Sequence, residues 1–152
     1  MSTTSKSATR RSKAAPAAYV LDAQVGFILR QVVQRHTILF GAGIGEDLTS
    51  TQWAALAKLH EIGPCSQNLL GRLTAMDAAT IKGVVDRMVK RGFVETRPDP
   101  EDGRRLVAVL TADGKALVER TIPAALAVTQ ETLAPLDAAE RAQFVALLSR
   151  LK

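Results

Sequence analysis

The feature that most constrains this chain is a change of period between residues 66 and 110. From about Ser66 to Leu73, and again from about Asp77 to Arg91, the pattern is helical, and Ile81, Val84, Val85, Met88 and Val89 form one apolar stripe in the second stretch. Only Thr74-Ala75-Met76 lies between them, so the two helices must turn sharply. Gly92 supplies the left-handed stop. Phe93–Arg97 and Leu106–Leu110 then read as strands, on either side of the turn chemistry of Pro98-Asp99-Pro100-Glu101-Asp102-Gly103. A short helix, a tight turn, a longer helix and an immediate hairpin predict a winged helix-turn-helix.

The flanks read as helices. Leu21, Val25, Ile28, Leu29, Val32, His36, Leu39 and Phe40 recur at helical spacing over residues 17–40, and Gly41, Gly43 and Gly45 are expected to break the pattern. Thr49-Ser50-Thr51-Gln52 is a capping box that opens a helix through Trp53, Leu56, Leu59 and His60, ended by Gly63-Pro64. Ser66 is a candidate N-cap. Thr111 caps a long helix to about Leu133, in which Pro123 is expected to produce a kink. A second capping box within Leu136–Glu140 opens the last helix. The expected fold is mainly α with a small β-hairpin wing. It comprises one domain over 16–152, with a winged lobe at about 48–111 and dimerisation helices at about 17–40 and 112–152.

Composition narrows the function. Aromatic residues make up only 4% of the 152, so the core must come from Leu, Val, Ile and Ala. Of the 20 cations, Lys6, Arg10, Arg11 and Lys13 lie in residues 1–15, which read as a disordered basic tail; from position 14 onward 16 cations face 15 acidic residues. The body is nearly neutral, so any case for nucleic acid rests on where its charges sit. The single cysteine, Cys65, gives neither a disulfide framework nor a metal cluster and fits a reducing cytoplasm. The basic N-terminus lacks the apolar stretch of a secretory signal, and no run is long enough to span a membrane. No Ser/His/Asp arrangement, phosphate-cradling glycine loop or metal-ligand spacing is present. Neither catalysis, a cofactor nor a metal is expected.

With the apolar stripe turned inward, the longer helix presents Ala79, Gly83, Asp86 and Lys90, flanked by Thr80, Lys82 and Arg87. Small residues near its start let the backbone approach a groove. Thr80 and Lys82 can reach bases, whereas Arg87, Lys90 and Arg91 suit phosphates or internal pairing. At the hairpin, Arg104 and Arg105 suit a narrow minor groove, and Asp102 is near enough to orient the Arg104 guanidinium. Ser66, Gln67 and Ala78, at the two helix starts, complete the candidate DNA contacts. The plainer alternatives are a solvated helix face and a surface ion pair of little consequence.

Several motifs, in this order and spacing, resemble one family. They are Leu48-Thr49 with Gln52-Trp53, Gly63-Pro64-Cys65-Ser66-Gln67, Met76-Asp77 with Thr80, Val85-Asp86-Arg87, Arg91-Gly92-Phe93-Val94, Asp99-Pro100 with Asp102 and Arg104, and Leu110-Thr111 with Gly114. Over roughly residues 20–151 the chain resembles the MarR family of bacterial regulators. The resemblance implies a triangular homodimer with interlocked terminal helices, whose two lobes read a pseudo-palindromic operator in double-stranded DNA. It implies that Arg104 is the minor-groove arginine and Asp102 its partner. It also implies repression of genes for aromatic catabolism, efflux or oxidant defence, relieved by a small ligand between the dimerisation helices and the DNA lobe. Gly83 stands where many relatives carry a long polar or basic residue, which shifts weight toward shape readout. Cys65-Ser66-Gln67-Asn68 and Asp77–Lys82 are similar to the subgroup that controls nicotinate catabolism and senses a hydroxynicotinate.

For an effector, an aromatic carboxylate or its thioester is expected, with Arg30, Arg35, His36, Trp53 and His60 as candidate ligands. Against this, Trp53 suits a core position, and both histidines suit structural roles. Cys65 at a helix start has a lesser reading as a redox switch, since oxidant-sensing relatives carry their cysteine near the first helix. The rival to a specific regulator is a winged-helix protein that works through protein contacts or binds DNA without sequence preference.

Overall fold

The computed structural model describes residues 18–152. The expected basic tail at 1–15 lies outside the described residues. A 3-10 turn at Leu21–Ala23 leads into α1 (Val25–Gly43), followed by α2 (Ser50–Ile62), β1 (Cys65–Ser66), α3 (Gln67–Leu73), α4 (Ala78–Lys90), β2 (Val94–Pro98), β3 (Leu106–Leu110), α5 (Ala112–Thr132) and α6 (Ala138–Ser149). This is a mainly helical winged helix-turn-helix with a small antiparallel sheet in the order β1-β3-β2.

Most helix starts are set by side chains. The Thr49 hydroxyl accepts from Gln52 N at 3.2 Å, and the Gln52 side chain accepts from Thr49 N at 3.1 Å, closing the capping box of α2. Ser66 caps α3 through Leu69 N, Asp77 caps α4 through Thr80 N, and Thr111 caps α5 through Gly114 N. Asp137 and Glu140 form the second capping box. Gly63 and Gly92 take φ of 80° and 78°, the left-handed exits that end α2 and α4. Thr111 also donates to Gly92 O at 2.6 Å, which fastens the end of α4 to the start of α5 across the root of the hairpin. A Cβ at Gly114 would collide with the carbonyl of Phe93, so only glycine lets α5 lie this close to the start of β2.

One core joins the elements. Leu56 and Leu59 of α2, Leu70 of α3, Ile81, Val84, Val85 and Met88 of α4, Val94 and Ala108 of the sheet, and Leu117 and Val118 of α5 are all buried together. Val89 departs from the expected stripe and is exposed. It lies one residue, about 100° of helix, beyond Met88 and outside the arc that faces the core.

Two further departures have clear causes. Helix α1 starts at Val25 and runs through Gly41 and Gly43, so neither breaks it. A Cβ at Gly43 would come within 2.7 Å of Val128 Cγ2 in α5; here glycine allows close helix packing, and only Gly45 takes a positive φ. The second is β1. Cys65 and Ser66 pair with Ala108 and Val107, adding a third strand to the hairpin. Helix α5 continues through Pro123 without interruption.

Candidate nucleic-acid interface

Helix α4 has one buried and one open face. Ala78, Ala79, Thr80, Lys82, Asp86, Arg87 and Lys90 are exposed and Gly83 is half-buried, with open space where a Cβ would stand. Lys82 Nζ is held by Asp86 Oδ2 at 2.7 Å, one turn on. Arg87 and Lys90 make no ion pair or side-chain hydrogen bond among the described residues. The Arg91 side chain instead donates to the Asp47 carbonyl and lies over the Phe93 ring, 5.1 Å from its centroid, so its role is internal. The Asp77 carboxyl is held below its usual range because it accepts the Thr80 backbone N–H, with the Thr80 side chain adding to the effect.

The hairpin follows α4 at once and packs beside it. Phe93 N donates to Met88 O at 2.9 Å, and β2 pairs with β3 from Val94↔Leu110 to Pro98↔Leu106. Its tip is closed by Asp99 N donating to Arg105 O at 2.8 Å and by Arg105 N donating to Asp102 O at 2.9 Å. Asp99 Oδ1 accepts from Glu101 N. Here one expectation is corrected. Asp102 does not orient the Arg104 guanidinium: it accepts the Arg104 backbone N–H at 3.1 Å and pairs with Arg105 Nε at 3.4 Å. The tight turn bends the Arg104 amide back onto Asp102. The Arg104 guanidinium is exposed and has no partner among the described residues.

Helix α3 lies between these elements. Asn68 and Arg72 line a cleft that also includes Ser66, Gln67, Arg105 and Leu106. They also line a smaller cleft with Ala78 and Ile81 of α4. A surface therefore runs from the first turn of α4, across Arg72 and Asn68, to the base of the wing. The sequence pattern does not single out Arg72, and it names Asn68 only within the Cys65–Asn68 resemblance, because a polar residue on a short helix carries no signal until the strand beside it is known.

The five candidate effector ligands do not converge. Arg35 donates from both terminal nitrogens to the carbonyls of Thr132 and Glu131, at 2.6 and 3.0 Å, satisfying the end of α5. His36 Nδ1 meets Thr132 Oγ1 at 2.8 Å. His60 of α2 instead meets the first half of α5, with Nε2 3.7 Å from Glu119 Oε1. Thirteen residues of helix, about 20 Å, separate Glu119 from Thr132. Trp53 packs against the core, and Arg30 is exposed on α1. His60 does line a cleft of about 520 Å³ with Leu59, Val109, Leu110, Lys115 and Glu119. Cys65 lies in β1, before the α3 cap, and burial pushes its thiol up from the ordinary value, which opposes the thiolate a redox switch needs. No helix among the described residues is long and apolar enough to cross a membrane.

Comparison with known proteins agrees with this architecture. The MarR family model matches residues 48–106. The HTH-type transcriptional repressor NicR of Pseudomonas putida is 39% identical over 134 residues, 88% of this chain and 85% of that protein. A crystal structure of a probable transcriptional regulator from Pseudomonas aeruginosa is 55% identical, with a TM-score of 0.86, covering 88% of this chain and all of that one. The structure of Bordetella bronchiseptica BpsR, whose DNA binding is regulated by 6-hydroxynicotinic acid, is 38% identical with a TM-score of 0.85, covering 89% of this chain and 97% of that one. The chain belongs to the MarR family of transcriptional regulators.

Proposed function

We propose that the protein is a repressor that binds a pseudo-palindromic operator as a homodimer and is released by a small aromatic acid or its thioester. The observation that carries DNA binding is the continuous surface from the first turn of α4 to the base of the wing, flanked by the exposed Arg87 and Lys90 of α4 and Arg104 of the wing, which make no ion pair among the described residues. In this reading α4 enters the major groove, Ala79 and Gly83 admit close backbone approach, and Thr80 meets a base edge. Lys82 exchanges Asp86 for DNA at little cost, since an exposed ion pair is worth about 0–1 kcal/mol. Arg104 enters the minor groove, and Asp102 acts indirectly, by fixing the turn. Ser66, Gln67, Ala78 and Arg105 contact the backbone. The winged lobe spans about 48–111, and the terminal helices join two copies, so the half-sites lie about one helical turn apart.

Competition binding tests this. The wild type should prefer the DNA upstream of its own gene over random duplex by several kcal/mol. Arg104→Ala should weaken that binding by about 1–3 kcal/mol with unchanged thermal unfolding. Equal affinity for every sequence would favour the rival, non-specific binder.

The effector reading draws on BpsR. In this chain we place the acid in the cleft beside His60. Lys115 supplies a cation, His60 a ring nitrogen, and Leu59, Val109 and Leu110 an apolar wall, and the acid must first displace Glu119, 4.0 Å from Lys115 Nζ. The cleft touches α2, β3 and α5 together, so its occupant bears on the wing. Calorimetry with 6-hydroxynicotinic acid should show binding that Lys115→Gln weakens. An absence of heat with this acid and its analogues sinks the effector assignment and leaves the DNA reading intact.

A further inference from the structure

We infer that Arg72, Asn68 and Arg105 together hold one DNA backbone phosphate between α3 and the wing, a contact separate from the base-reading face of α4. The inference rests on the DNA-binding reading above and adds Arg72 and Asn68 to it. Its starting point is β1. Ser66 sits opposite Val107 in an antiparallel register. Continued by two steps, that register sets Gln67 opposite Leu106 and Asn68 opposite Arg105. Helix α3 turns away at that point, and the strand pairing gives way to a cleft of about 480 Å³.

The lining of the cleft selects its occupant. Arg72 and Arg105 bring two guanidinium groups, Asn68 and Gln67 bring amides, and no carboxylate lines the space. Asn68 and Arg72 are one turn apart on α3, so their side chains share a face. Asp102 approaches Arg105 at Nε, 3.4 Å away, and the guanidinium makes no side-chain hydrogen bond among the described residues, so it can donate elsewhere. Arg72 is exposed and makes no ion pair or side-chain hydrogen bond among the described residues, so its charge does not serve the fold. Guanidinium donors arranged around a polar cleft match the oxygens of a phosphate. Because Arg72 and Asn68 also border Ala78, a phosphate held here fixes the lobe midway between the recognition helix and the wing. Such a contact sets position and carries no sequence information.

The test is the salt dependence of binding for Arg72→Gln, on the operator and on random duplex. Releasing one phosphate makes the slope of log K against log salt shallower by about 0.9, for each protomer engaged. We expect that change on both DNAs, with affinity down roughly five- to tenfold near 0.1 M salt for each protomer engaged. Sequence preference and thermal unfolding should be unchanged. Arg72→Lys, which keeps a point charge, should restore most of the slope. Thr80→Ala should do the opposite, altering preference and leaving the slope alone. A wild type that binds no DNA overturns both readings. A wild type that binds, with an Arg72→Gln slope equal to its own, overturns the clamp alone. A lowered melting temperature in both Arg72 variants overturns it too, by making Arg72 structural. Saturable binding of inorganic phosphate that Arg72→Gln abolishes, with the DNA slope unmoved, would overturn it in favour of a free anion in the cleft.

Discussion

The segment from residue 48 to 111 and the helices α1 and α6 treat their apolar side chains in opposite ways. Within the segment, Leu56, Leu70 and Met88 have no exposed surface at all. In α1 the corresponding side chains face outward: Val33 is 61% exposed and Ile38 73%. Helix α6 has no buried residue, yet it carries Phe144, Val145, Leu147 and Leu148. An isolated helix of 12 residues is marginal in water and needs a packed face to persist. Burying a large apolar side chain is worth about 1.5–3 kcal/mol, and these helices leave that gain unrealised within one chain. The lobe, closed by Leu117 and Val118 of α5, buries its own apolar face, whereas α1 and α6 leave most of theirs without a partner inside the chain.

The sharpest way to break this contrast is to charge the open face. Val33→Asp combined with Leu147→Asp should halve the sedimenting mass, to the 16.3 kDa of one chain. Operator affinity should then fall about a thousandfold, because linking two half-site readers typically contributes 10²–10⁴. The lobe should keep its slowly exchanging core amides. A variant that remains dimeric and bound would place the interface elsewhere.

A second pair of variants sharpens the contrast through concentration. Leu70→Ala opens a cavity in the lobe and should cost about 2–5 kcal/mol. That loss should not depend on protein concentration. Leu147→Ala trims the surface offered to a second copy, so its effect on melting should shrink as concentration rises. If both variants behave alike, α6 packs within its own chain.

The same division explains what the sequence makes legible. Caps, the α4 stripe and the hairpin are local signals, and Thr49, Ser66, Asp77, Thr111 and Asp137 all take the capping positions that their side chains dictate. What stays hidden depends on partners far away in the chain. Strand β1 is two residues long and meets β3 more than forty residues later, so it has no period to read. Gly43 looks like a breaker until Val128 is placed against it. Arg35 and His36 look like ligands until the end of α5 claims both. Asp102 matters to the wing, as its place in the turn suggests, but residue spacing cannot distinguish a backbone N–H acceptor from a side-chain partner. The effector ligands are the least legible part, because residue type on a helix says little before the packing of that helix is known.

The smallest effect concerns Cys65, which belongs to the closed region and should behave accordingly. Burial raises its thiol above the ordinary value of 9.0, so the folded protein keeps the proton to higher pH than the unfolded chain does. Below pH 9 both states carry the proton and the residue adds no pH dependence. Above it the unfolded chain binds fewer protons, so stability falls as pH rises, by at most about 1.4 kcal/mol per unit. Other groups titrate in the same range, and the signal is therefore the difference between the wild type and Cys65→Ala. Urea midpoints from pH 8 to 10 should diverge for the two proteins only toward the alkaline end, the wild type losing more. Iodoacetamide should label the native thiol slowly and the unfolded one fast. Rapid labelling of the native protein at neutral pH would mean that Cys65 is open to solvent, and the lobe would then share the exposure that marks the flanking helices.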